Sequence, residues 1–145
     1  MSKSNTFEND LLGLIFNNTD IADIGDASGL QNSATAGSLY VALHTADPGE
    51  AGTAATSEAT YTNYARVAVA RSGAGWTVSG ATATNAAQIT FPQCGASGNT
   101  ITHVSITTAL SGTSKILYSG ALNSSLSVAL NITPLFAASG LTVTE

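Results

Sequence analysis

Charge is what this sequence has least of. Asp, Glu, Lys and Arg make up 9% of its 145 residues, against about 25% in an ordinary soluble domain. Only Lys3, Arg66, Arg71 and Lys115 are basic, and they do not cluster. That excludes the electrostatic footprint of a nucleic-acid partner. A single cysteine, Cys94, excludes an internal disulfide and any cysteine-based zinc pattern. No stretch approaches the roughly 18 apolar residues of a membrane-spanning helix. The opening MSKSNTFENDLL lacks the continuous apolar run of a signal peptide. The expectation is a chain with no nucleic-acid or membrane partner, made in a cytoplasm without classical export.

What takes the place of charge is Ser, Thr, Asn, Ala and Gly, with a hydrophobic fraction of 43% and a net charge of −5. Long charged side chains lose rotamer entropy when immobilised, and their heads resist desolvation. A low-charge, Thr-rich surface therefore suits packing against neighbours or an exposed extracellular setting better than a freely diffusing cytosolic enzyme. The length suits one domain that folds without disulfides or metal.

Periodicity assigns one helix. In NTFENDLLGLIF, Phe7, Leu11, Leu14 and Ile15 form an amphipathic stripe that Leu12 and Phe16 widen. Asn5 and Glu8 have the spacing of a capping pair, and NNTD reads as the helix end. Residues 17–38 form a polar connection. Its acids, Asp20, Asp23 and Asp26, fall at every third position rather than the every-second spacing of a calcium loop, and read as loop or capping acids. The division expected is a helical arm and connection over 1–38 and a β domain over 39–145.

From residue 39 the chain reads as short strands: 39–45, 65–70, 75–79, 81–84, 87–91, 101–107, 115–121, 125–130 and 141–144. They are rich in Val, Ile, Thr and aromatics and are separated by Gly, Pro, Asn or Ser. Strand–helix alternation is missing, which argues against a parallel α/β fold. The fold class expected is all-β, an antiparallel jelly roll or β-sandwich of about eight to nine short strands with a short N-terminal helix.

LYVALHTADPGEAG, residues 39–52, is the stretch that most invites a catalytic or metal reading. Alternation puts His44 on the less apolar face of a half-buried strand. DPGE has Pro where a turn needs a fixed φ and Gly where it needs a positive one. Asp47 and Glu50 then flank a turn, and all three polar residues are expected to be replaceable with little loss. No G-x-S-x-G elbow supports a hydrolase, and GASGNT lacks the lysine and helix of a phosphate loop. His103 lies mid-strand, Cys94 in a turn, and Trp76 follows glycines as a packing residue or a sugar platform. No catalytic residue, metal site or cofactor is expected.

Six segments resemble a known family, and in its order: LYVALHTADPGEAGT, YTNYARVAVAR, GWTVSGATATNAAQITFP, ITHVSI, KILYSGAL and ITPLFAASGLTVTE. The family is one of small tailed-phage and prophage proteins often labelled tail fibre proteins, and the resemblance runs from about residue 6 to the C-terminus. It implies a non-enzymatic virion structural protein assembled in the host cytoplasm. The chain has no heptads, collagen repeat or β-helix period. Together with the resemblance, this looks similar to a capsid cement or decoration protein on the shell, clamping neighbouring major capsid subunits, with other virion proteins and further copies of itself as partners. A tail or tail-fibre protein for host attachment and a carbohydrate-binding module are the alternatives. Phe7, Leu11, Leu14, Ile15, Asp47 and Glu50 are the expected interface residues.

Overall fold

The computed structural model describes residues 2–145. Among them one helix, α1 (Asn5–Asn17), precedes nine strands: β1 (Ser38–His44), β2 (Val67–Ala70), β3 (Trp76–Ser79), β4 (Thr82–Asn85), β5 (Ile89–Thr90), β6 (Asn99–Thr107), β7 (Ile116–Val128), β8 (Leu135–Phe136) and β9 (Thr142–Thr144). The strands form three antiparallel sheets, in the orders β2-β1-β6-β7, β3-β4-β9 and β5-β8. The protein is all-β apart from α1, as its composition and turn spacing predict.

The chain forms two compact units. The first takes the segment up to Ser38, Val69–Gln88 and Phe136–Glu145; the second takes Leu39–Ala68 and Ile89–Leu135. In the first unit α1 packs against β3 and β4. Its fully buried residues are Leu12 and Phe16, one turn apart. The Phe16 ring meets Trp76 edge-on at 4.7 Å between centroids. Leu11, Leu14 and Ile15 are half-buried and Phe7 is exposed, so the stripe assigned from periodicity flanks the buried edge.

The caps of α1 are one residue out of register with the expected pair. Ser4, in extended geometry, is the N-cap and its Oγ accepts from the Phe7 N–H at 3.3 Å, while Asn5 is already helical. At the other end Asn18 adopts the left-handed conformation with φ 56°, and its N–H donates to the Gly13 carbonyl, a common helix stop. The last turn has no base of its own. Arg71 supplies one: its Nε donates to the Ile15 carbonyl at 2.7 Å and its Nη2 to the Leu14 carbonyl at 2.5 Å. A guanidinium there satisfies carbonyls left open by the helix end and opposes the dipole.

The 18–33 connection is held by its own polar groups. Asn18 and Ser33 exchange hydrogen bonds, Asp20 accepts from the Asn32 N–H at 2.6 Å, and Asp26 accepts from Ser28 and Gly29. Asp20 and Asp26 therefore cap backbone. β3 and β4 form a hairpin through Gly80-Ala81, where Gly80 holds φ 57° at the first corner, as a tight hairpin turn requires. β4 also pairs with β9, and buried Asn85 clasps that last piece. Its Nδ2 donates to Ala87 and Ala137 carbonyls and its Oδ1 accepts from the Leu141 N–H.

In the four-stranded sheet β1 lies between β2 and β6. Val41–His44 and Val104–Thr107 are buried at every position. These are central strands with both faces covered, not the half-buried strands that alternation suggests. β7 joins the two segments expected at 115–121 and 125–130 into one strand. Ile101 pairs with Leu126 and His103 with Ala121. Residues 122–125 therefore bulge out opposite Thr102 alone, which is why the sequence reads there as a break.

Candidate functional site

His44 is the residue most suggestive of chemistry, and it is wholly buried. Its Nε2 lies 2.7 Å from Ser105 Oγ and its Nδ1 2.9 Å from the Thr56 carbonyl. A neutral ring that donates from Nδ1 and accepts the Ser105 proton satisfies both contacts. The layout resembles a nucleophile–base pair, but Ser105 is 1% exposed and His44 0%, so no substrate atom can approach. Its role is to join β1 to β6 and to the 53–58 turn. Buried and twice hydrogen-bonded, His44 is expected to tolerate replacement less well than Asp47 and Glu50, with which the sequence groups it.

Burial lowers the His44 pKa below its ordinary 6.5, outweighing the Thr56 contact and Glu58, which act the other way. The unfolded chain then binds the proton more readily than the folded one. Stability is full above about pH 6.5 and falls as pH drops below it, at up to about 1.4 kcal/mol per pH unit until the folded ring also protonates. Urea midpoints at pH 7.5, 6.0 and 5.0 will show this loss, and His44→Gln will remove its histidine share. Equal pH dependence in both proteins would refute the assignment.

Beside it, Arg66 is 4% exposed. Its Nε and Nη2 grip the two Glu58 carboxylate oxygens at 2.7 and 2.8 Å. The remaining donors reach the Ala109 and Gly112 carbonyls at 2.9 and 2.8 Å and Ser114 Oγ at 3.1 Å. All five guanidinium N–H groups are thus used. Tyr64 completes the cluster: its hydroxyl donates to Glu58 at 3.0 Å and accepts from the Leu43 N–H. Burial pushes its phenol pKa up. This network anchors the 108–115 loop. Sequence reasoning missed it because the partners lie up to 48 residues from Arg66.

The residues expected to face partners divide by exposure. Asp47 and Glu50 are exposed on the turn; Asp47 Oδ1 accepts from the Gly49 N–H at 2.9 Å, and Gly49 has φ 69°. The DPGE turn forms as its residues dictate. Phe7 is 36% exposed. Other exposed apolar side chains, Leu126, Leu130, Ile132 and Leu135, follow one another from the end of β7 to β8. Trp76 is fully buried, so it cannot serve as a sugar platform, and Cys94 is buried too. Among the described residues no three His, Cys, Asp or Glu side chains converge as metal ligands, and no helix is long and apolar enough to cross a membrane.

Comparison with known families matches the chain to the model described as "Podophage GP4 fiber I protein gp80", over residues 2–144. The chain belongs to the Gp80 family. The match takes in both units and α1, so the fold above is that of a Gp80-family chain from the helix cap to β9. Membership puts it among phage fibre proteins, structural components of the virion. No curated protein matches the chain.

Proposed function

We propose that this chain is a non-enzymatic fibre subunit of a tailed-phage virion, placed at the tail and serving host attachment. The observation that carries this is the extent of the Gp80 match, residues 2–144, under a family description that is itself a fibre protein. The sealed Ser105–His44 pair supports a role without catalysis. Exposed Phe7, with half-buried Leu11, Leu14 and Ile15 on the same helix, and exposed Asp47 and Glu50 on their own turn are candidate contacts to other virion proteins.

A cement protein on the capsid surface is the second reading. Its support is the chain's build: compact units of short strands with no fibrous repeat. Imaging of intact virions with the chain labelled, together with a copy number, separates the two. A few copies at the tail fit the fibre reading. Hundreds of copies over the shell, next to the major capsid protein, would replace it with the cement reading.

A further inference from the structure

The chain's two histidines face each other. His44 on β1 is in register with His103 on β6, and directly opposite residues of an antiparallel pair share a face. On the other side of β1, His44 bridges Glu58. His103, His44 and Glu58 thus form one row of titratable groups across three neighbouring segments. A proton on His44 finds no free counter-charge in that row. Glu58 is already gripped by Arg66 and by the Tyr64 hydroxyl. Burial disfavours a positive ring first; the Thr56 carbonyl and Glu58 act the other way, and Arg66 and His103 add to the burial. A buried charge without its own partner is costly until water reaches it.

The lightest cover over the ring is the 45–57 loop, whose Thr56 carbonyl meets Nδ1. Only Pro48 and Ala54 of that loop are buried. Besides the His44 tie, the Ala54 N–H donates to the Ser114 carbonyl at 2.9 Å, and the Ser57 carbonyl accepts from the Thr45 N–H at the loop base. The structure on either side resists opening more strongly. β1 is paired with β6 at every residue from 40 to 44. Past the loop, Arg66 holds Glu58, and the Ala59 N–H donates to the Leu43 carbonyl.

We infer that acid unlatches the 45–57 loop from His44 while β1 stays paired with β6. Lifting the loop lets water reach the charged ring. Local openings of this kind begin in the parts of a fold with few buried contacts, and histidine is the side chain that drives them near neutral pH. The closed form binds the proton less readily than the open one. The loop is therefore fully latched above about pH 6.5, and opening rises below it by up to about tenfold per pH unit. A charged ring is no base, so opening does not turn the Ser105–His44 pair into a catalyst. The loop carries Asp47 and Glu50. If they contact other virion proteins, acid loosens that contact; this consequence rests on the proposed reading, whereas the latch is a property of the chain alone.

Hydrogen exchange of the purified full chain at pH 7.5, 6.0 and 5.0, corrected for the pH dependence of free amides, tests the latch. Protection over 45–57 should fall by up to about tenfold per pH unit in acid, while protection over 101–107 holds, and it should return when the pH is raised. His44→Gln keeps a side-chain donor and acceptor without a titrating ring, and should show protection over 45–57 that is independent of pH. His103→Gln removes a group that opposes the charge from a half-buried position. It should make the fall shallower, and it serves where the His44 variant fails to fold. Protection over 45–57 that ignores pH, that falls together with protection over 101–107, or that falls as steeply in folded His44→Gln would each overturn the inference. A loop that opens while virion contacts hold at pH 5.0 would remove the contact reading and leave the latch standing.

Discussion

Arg66→Met is expected to destabilise the Leu39–Ala68, Ile89–Leu135 unit by about 3 kcal/mol, from the 3–5 kcal/mol that follows removal of one partner of a buried pair. The lower end applies because the Glu58 side chain keeps 19% of its exposure and can recruit water. The loss has two sources. The Glu58 carboxylate is left without its bidentate partner, and the Ala109 and Gly112 carbonyls lose the donor that holds their loop. Urea unfolding followed by circular dichroism measures it. The double variant Glu58→Leu, Arg66→Met should recover part of the loss, since it removes the stranded charge. An unchanged midpoint in the single variant would mean that the network stabilises nothing.

Phe16→Ala should cost the first unit about 3–5 kcal/mol, the range for deleting a buried aromatic ring. Phe16 is 0% exposed and packs on a Trp76 that is equally buried. The chain has one tryptophan, so its emission reports this site alone. The variant should shift that emission to the red and lose helical ellipticity, because a thirteen-residue helix is marginal in water without a packing surface. Arg71→Ala should lower helicity by a smaller step, since it frees the Leu14 and Ile15 carbonyls but leaves the ring contact. Native emission and helicity in Phe16→Ala would show that α1 is held by something other than the Trp76 contact.

The regular elements were legible in the sequence because their signal is local. The helix and all of the strands but β8 announce themselves by alternation, β-branched residues and turn chemistry. β8 is two residues long, too short to carry a period. The merger of two expected strands into β7 depends on register with β6, which no local pattern encodes. Ser4 and Asn5 are both good caps, and the Glu8 spacing favours the one that is not used. Burial was less legible still. His44 reads as the less apolar face of a half-buried strand and Arg66 and Arg71 as scattered bases, yet each is consumed by tertiary ties. In a chain with four basic residues, Arg66 and Arg71 serve fold rather than surface, and Lys3 pairs with Glu145. Scarcity of charge was visible from the start; that the few charges present would be structural was not.

The two units differ in how many pieces of chain build them. The first is assembled from three segments, the last of them Phe136–Glu145, and the second from two. That last segment carries β9, the outer partner of β4, and the carbonyl and amide that Asn85 grips. A cut before Phe136 would therefore strip a buried side chain more than fifty residues upstream of its partners, and the damage would show at Asn85 rather than at the cut.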